Sequence, residues 1–163
     1  MTRSDYTTQA GGAALGARLR RLSSTIDADS ARLYAAFGVE FEQRWFGVVN
    51  QLALNGPMTV SELGVALRIT HVSVSQTRDS LTKAGLVQSA PHDSDARKRT
   101  LSLTRTGTAL VARLQPLWKA FDDAARTLDA EAGHVASALD RLDAALDQRS
   151  MFDRIMERLP QKP

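Results

Sequence analysis

Residues 59–103 read TVSELGVALRITHVSVSQTRDSLTKAGLVQSAPHDSDARKRTLSL, and the hydrophobic period changes inside this stretch. Thr59-Val60-Ser61-Glu62 places a hydroxyl three residues before a carboxylate. That spacing lets each side chain satisfy the other's orphan backbone N–H at a helix start. Val60, Leu63 and Leu67 then recur at helical spacing and predict a short helix over about 60–67. Arg68-Ile69-Thr70 reads as a turn whose threonine caps a second helix, about 71–84, ending before Gly85. Val74 and Leu81 share one face of it. Two short helices across a tight turn make a helix-turn-helix candidate. Beyond Gly85, Leu86-Val87-Gln88-Ser89-Ala90 reads as a strand, Pro91 to Lys98 as a charged loop, and Arg99-Thr100-Leu101-Ser102-Leu103 alternates at period two. A lone hairpin is not stable in water, so this one must pack on the helices before it. The whole is a winged helix.

Working outward, the first ten residues are polar and read as frayed. Leu15, Leu19, Leu22, Ile26, Leu33 and Phe37 predict one long helix over about 13–36, with Ser30 a polar interruption of its stripe. Phe41, Trp45, Val48, Val49 and Leu52 predict a second helix over about 40–54, stopped by Asn55-Gly56-Pro57. On the other side, Thr104 caps a helix over about 105–129 with a stripe of Leu110, Leu114, Leu117, Phe121, Ala125 and Leu128. Pro116 lies inside it and costs about 3 kcal/mol in a helix interior; the stripe stays in phase, so a kink near 112–116 is expected, not a break. Gly133 separates a last helix, about 134–158, carrying Val135, Leu139, Leu142 and Leu146. Arg149 falls where an apolar residue belongs and the pattern restarts at Phe152, Met156 and Leu159, which predicts a bend near 148–150.

The expected fold class is mainly α with a small β-hairpin wing: a winged helix-turn-helix lobe at 58–104, flanked by long terminal helices at 1–57 and 105–163 that form a helical dimerisation region. Leucine stripes on the terminal helices offer more apolar surface than a small monomer buries, and such units usually bind DNA as symmetric dimers.

The charge balance points the same way. The chain has 163 residues, 21 Lys+Arg against 18 Asp+Glu, and a formal charge of +3. Residues 1–58 carry +1, residues 59–105 carry +3 and residues 106–163 carry −1, so the positive excess sits in the winged lobe. An anionic partner for that lobe is implied. The absence of cysteine excludes disulfides, thiolate catalysis and thiol-based sensing. No apolar run suits a membrane span and the N-terminus lacks a secretory signal, so a cytoplasmic location without membrane contact is expected.

The second short helix begins Thr70-His71-Val72-Ser73-Val74-Ser75-Gln76-Thr77-Arg78. Small polar residues in its first turns suit an end that enters a groove, where backbone N–H groups and hydroxyls take phosphate oxygens. Gln76 can pair bidentately with adenine, and Arg78 with guanine or a phosphate. At the hairpin tip, Arg97, Lys98 and Arg99 form a cation cluster suited to the narrow minor groove. Asp95, two residues before Arg97, can aim its guanidinium through a charge-assisted hydrogen bond. The candidate DNA-binding residues are therefore Thr70, His71, Ser73, Ser75, Gln76, Arg78, Asp95, Arg97, Lys98 and Arg99.

Leu63 through Gly107 resembles the multiple-antibiotic-resistance-regulator (MarR) family of bacterial transcription factors. Three stretches carry the likeness: Ser61-Glu62-Leu63 with Leu67 and Ile69-Thr70; Val74-Ser75-Gln76 with Leu81, Lys83 and Gly85-Leu86-Val87; and Asp95 through Gly107, similar to a wing pattern of Asp, Arg, then Leu-x-Leu-Thr-x-x-Gly. The resemblance implies that Arg97 is the wing arginine and Asp95 its acidic partner. It also implies a homodimer on double-stranded DNA, acting as a repressor relieved by a small aromatic effector. The chain departs from the family at Gln76, where a basic residue is common, and at Thr77 and Arg78, where apolar residues are common. Direct contacts then lean more on the wing and on Arg78.

Phe41, Arg44 and Trp45 put an aromatic pair beside a cation, chemistry that suits an aromatic carboxylate effector. Phe41 and Trp45 also fall on the apolar stripe and read first as core. His71, His92 and His134 lack the spacing of a helical metal site, and there is no Gly-rich phosphate loop or nucleophile–base arrangement. No enzyme activity, cofactor or metal is expected. An acetyltransferase fused to such a domain would need a further region after residue 160. The competing class is a winged-helix protein-interaction module without operator binding, which predicts no salt-dependent DNA affinity.

Overall fold

The computed structural model describes residues 6–160 apart from Asp93 and Ser94; the side chains of residues 92–98 lie outside the described residues. The elements in order are α1 (Tyr6–Gln9), α2 (Leu15–Ala36), α3 (Phe46–Asn55), β1 (Met58–Thr59), α4 (Val60–Leu67), α5 (His71–Lys83), β2 (Val87–His92), β3 (Asp95–Leu103), α6 (Arg105–Glu131), α7 (Val135–Gln148) and α8 (Met151–Met156). Two compact units divide the chain, Met1–Ala112 and Arg113–Pro163.

The first unit holds the winged helix. Its core is built from Val48, Val49 and Leu52 of α3, Leu63 of α4, Val74 and Leu81 of α5, Leu86 and Val87 at the start of the wing, and Leu101 of β3. Leu63, Val74, Leu81 and Leu101 are fully buried. Burying a leucine or valine side chain contributes about 1.5–3 kcal/mol, so this cluster is the main source of cohesion for the lobe. Glycine sets how closely the helices approach. A Cβ on Gly47 would meet Leu67 Cδ2 at 3.0 Å, and one on Gly64 would meet the Ile69 carbonyl oxygen at 3.3 Å.

The sheet has three strands, not the two expected. β3 lies in the middle, antiparallel to both neighbours. Met58 and Thr59 pair with Leu101 and Thr100, so the residues just before α4 close one edge of the wing. On the other edge Val87 through Pro91 pair with Leu103 through Arg99, and the register shifts between Pro91 and His92. Pro91 is tolerated because β2 is an edge strand. This pairing, with Leu86, Val87 and Leu101 buried in the core, holds the hairpin to the helical lobe.

Caps govern the helix boundaries. At α4 the Thr59 hydroxyl accepts from the Glu62 N–H at 3.2 Å, while Glu62 Oε2 accepts from the Thr59 N–H at 2.7 Å. At α5 the Thr70 hydroxyl accepts from the Ser73 N–H at 3.2 Å, and at α6 the Thr104 hydroxyl accepts from the Gly107 N–H at 3.0 Å. All three starts agree with the sequence.

Elsewhere the boundaries differ. Residues read as a frayed end contain a helical turn, Tyr6–Gln9. The second helix starts later than expected, with a tight 3-10 turn at Gln43–Trp45 leading into α3. The first long helix buries only Ser30 and Tyr34; Ser30, read as an interruption of the stripe, is inward and donates to the Ile26 carbonyl at 2.9 Å. Its hydroxyl is thereby satisfied without leaving the helix.

α6 runs unbroken through Pro116. The proline has no N–H to give the Ala112 carbonyl, and the division between the compact units falls immediately after Ala112. In the second unit Asp129 accepts from the Ala136 N–H at 2.8 Å and so caps the start of α7. The expected bend near 148–150 is a full break: Arg149 is extended and Ser150 begins a new helix. Ser150 Oγ accepts from the Asp153 N–H at 3.1 Å. Arg154 then ties α8 back to α7 by donating to the carbonyls of Arg149 at 3.1 Å and Ala145 at 2.7 Å. Ser150 and Asp153 stand in helix-start spacing, a signal legible in the sequence. Among the described residues no helix is long and apolar enough to cross a membrane.

Candidate nucleic-acid interface

α5 presents two different faces. Val74, Thr77 and Leu81 point into the core, at 0%, 6% and 0% exposure. Thr77, grouped by sequence with the outward polar residues, is therefore a core residue; its spacing of three from Val74 and four to Leu81 carried that information. His71, Val72, Ser73, Gln76 and Asp79 are exposed, and Ser75 and Arg78 are half-buried. The exposed residues include most of the first turn and a half, the end where unpaired backbone N–H groups and the positive end of the helix dipole meet an incoming anion.

Local hydrogen bonds set what each side chain can do. Thr70 and Ser73 share a hydroxyl–hydroxyl bond of 2.9 Å beside the cap, which fixes the first turn. Arg78 is engaged by its neighbour: Nε donates to Asp79 Oδ1 at 2.9 Å and Nη2 lies 2.8 Å from the same oxygen. Its guanidinium is held along the helix surface, and a phosphate or guanine contact would have to compete with Asp79. The pairing also neutralises the carboxylate on the face that would meet phosphates.

The wing is stiffened by a residue read from sequence as a DNA contact. Arg99 Nε donates to Ser89 Oγ at 2.8 Å and Nη2 donates to the Ser89 carbonyl at 2.9 Å. The clasp crosses from β3 to β2 near the register shift. Asp95, Arg97 and Lys98 lie on β3, and the expected Asp95–Arg97 bond lies outside the described residues.

Sequence reading missed a second clasp, at the far end of α5. Ser80 Oγ accepts from Trp45 Nε1 at 3.0 Å and from Arg44 Nη2 at 3.3 Å, and donates to Glu42 Oε1 at 3.3 Å. Arg44 Nε donates to Glu42 Oε2 at 2.5 Å. This network fastens the 3-10 turn before α3 to α5. Beneath it Trp45 stacks edge-on against Phe41 at 5.6 Å, and Phe41 lies 4.8 Å from Tyr34. Phe41 and Trp45 are buried core residues, and Arg44 faces Glu42 and Ser80. A polar residue on a helix marked no partner in the sequence, because its partners lie more than thirty residues away.

Residues 37–98 match the model of the MarR family. No curated protein matches the chain. Among solved structures, NMB1585, a MarR family regulator from Neisseria meningitidis, is 25% identical over 89% of this chain and 96% of its own, with a TM-score of 0.59. A mutant of E. coli MarR complexed with operator DNA is 21% identical over 88% of this chain and 99% of its own, with a TM-score of 0.66. Bordetella bronchiseptica BpsR, whose DNA binding is regulated by 6-hydroxynicotinic acid, is 21% identical over 78% of this chain and 91% of its own, with a TM-score of 0.66. Capped α4 and α5 and a wing closed by β1 make a winged helix-turn-helix, and the stretch that matches the MarR family model, residues 37–98, takes in both capped helices and reaches into the wing.

Proposed function

We propose that the protein is a dimeric, sequence-specific DNA-binding transcriptional regulator of the MarR type, a repressor relieved by a small aromatic effector. The observation that carries the DNA reading is the two-faced α5: an apolar side locked into the core and a polar N-terminal turn left open, beside a hairpin rich in arginine and lysine. In this reading α5 lies in the major groove through His71, Ser73, Ser75 and Gln76, Thr70 and the helix end meet phosphate, and Arg97 and Lys98 reach the minor groove. Arg99 supports the wing from behind. The protein works in the cytoplasm and catalyses nothing.

The dimer reading rests on surface left open in a single chain. Leu15, Leu19, Leu22 and Ile26 of α2 are 36–48% exposed. No residue of α7 or α8 is buried, though α7 carries Val135, Leu139, Leu142 and Leu146 and α8 carries Met151, Phe152, Ile155 and Met156. Apolar stripes left open on each of these helices support an interface. The terminal regions 1–57 and 105–163 thus serve dimerisation and 58–104 reads DNA. The effector reading draws on the relative whose DNA binding 6-hydroxynicotinic acid regulates.

The test is a gel-shift titration of the purified protein on the DNA upstream of its own and neighbouring genes, repeated across salt. A steep salt dependence, with a log–log slope of about −0.9 per neutralised phosphate, is the expected result. Flat, weak binding at every salt would leave the protein-interaction module as the better reading.

A further inference from the structure

Val72 is the one large apolar side chain on α5 that stands in the open, at 64% exposure. A single exposed valine means little by itself. Its position gives it meaning. It is the second residue after the Thr70 cap, in the turn whose hydroxyls are already tied together, and it lies one helical turn before exposed Gln76. Residues four apart share a face, so Val72 and Gln76 project together, away from Val74, Thr77 and Leu81. Valine in a helix is held almost entirely in one rotamer, so its methyl groups form a rigid probe with little entropy left to lose.

Thymine is the one standard base that offers a methyl group to the major groove. We infer that Val72 is a specificity-determining residue whose γ-methyl groups pack on the C5-methyl of a thymine, while Gln76 on the same face pairs with an adenine about two base-pair steps away. The spacing follows from the geometry: four residues rise about 6 Å along a helix, against ~3.4 Å per base pair. Each half-site then carries A·T pairs at both positions. This inference rests on the DNA-binding reading above.

The test uses the full-length protein and a duplex it enriches from a random-sequence pool. Each thymine of that duplex is replaced in turn by uracil, which removes only the C5-methyl and keeps the pairing. Wild type is expected to lose about three- to fivefold in affinity at one thymine of each half-site, the worth of one buried methyl group. Val72→Ala should bind the thymine duplex more weakly than wild type and bind thymine and uracil equally at that position. Val72→Thr, which keeps one methyl, should fall between them. An exposed helical position tolerates alanine, and circular dichroism checks the fold of each variant. A wild-type protein indifferent to every thymine-to-uracil change, or a Val72→Ala protein with the full wild-type penalty, overturns the assignment. A pool that yields no enriched duplex overturns the DNA-binding reading itself, and this inference with it.

Discussion

Replacing Gly107 by alanine is the sharpest test of how the wing is fastened to the outgoing helix. Gly107 sits in the first turn of α6, where its N–H is held by the Thr104 cap. An added Cβ would overlap the Leu86 carbonyl oxygen and would stand 3.1 Å from its carbonyl carbon and 3.4 Å from Leu103 Cδ2. The obstacle is backbone, so no rotamer change relieves it. Either α6 or the Leu86 peptide must move, and two bonds at the joint depend on the present fit. The Thr104 N–H donates to the Leu86 carbonyl at 3.0 Å and the Thr104 hydroxyl donates to the Gly85 carbonyl at 2.7 Å. Overpacking costs about 1–3 kcal/mol, and weakening the pair adds roughly 1 kcal/mol per bond. The better helix propensity of alanine returns about 0.5–1 kcal/mol. The net loss is about 2–4 kcal/mol, a large part of the ~5–15 kcal/mol that holds an ordinary domain together. For a chain of this length that corresponds to a Tm lower by roughly 5–15 °C. Thermal and urea unfolding by circular dichroism at fixed protein concentration measure it. Gly16→Ala is the control: its Cβ would meet only the flexible Arg20 Nη1, at 3.7 Å, and the variant should be unchanged or slightly more stable. A Gly107→Ala protein melting within about 2 °C of wild type would refute the close backbone approach.

Arg97→Ala should lower DNA affinity strongly at fixed salt and leave the melting temperature unchanged, because a wing tip has little share in the core; unchanged affinity would remove the wing from the interface. Leu142→Glu should weaken self-association by an order of magnitude or more, since a carboxylate is costly to bury among leucines, and DNA binding should fall with it. A variant that sediments as wild type would take α7 out of the proposed interface. Asp123 accepts a hydrogen bond from Lys119 at 2.7 Å, and that bond and the Lys119 charge, with help from Arg126, hold its carboxyl below the ordinary value. A depressed carboxylate contributes stability above its unfolded pKa and loses it as pH falls through the folded one. Lys119→Ala should therefore raise the Asp123 titration midpoint, read by NMR of the side-chain carboxyl. An unmoved midpoint would show that the pair is not formed in solution.

Where the sequence was decisive, the interactions are local. Thr59 with Glu62, Thr70 with Ser73 and Thr104 with Gly107 act within one turn, so residue type and spacing suffice to place the starts of α4, α5 and α6. Val74 and Leu81 name the inward face of α5 for the same reason, and the period-two run Arg99–Leu103 names the inner part of β3; the strands extend to His92 and back to Asp95, through residues whose composition reads as loop. Tertiary structure decided what depends on partners distant in the chain. Met58 and Thr59 become a strand because Thr100 and Leu101 present a free edge to them, though two residues carry no strand pattern of their own. Thr77 joins the core because Val74 and Leu81 fix the rotation of the helix around it. Arg99 is drawn across the wing to Ser89, and Ser80 gathers Glu42, Arg44 and Trp45 from an earlier turn. Helical and strand periods report which face is apolar, whereas a polar side chain's partner is set by which backbones the fold brings within 3 Å or so. The sequence thus determined which helix faces outward; the fold decided which of its polar groups are already engaged and which, like Gln76 beside Val72, stand open on its surface.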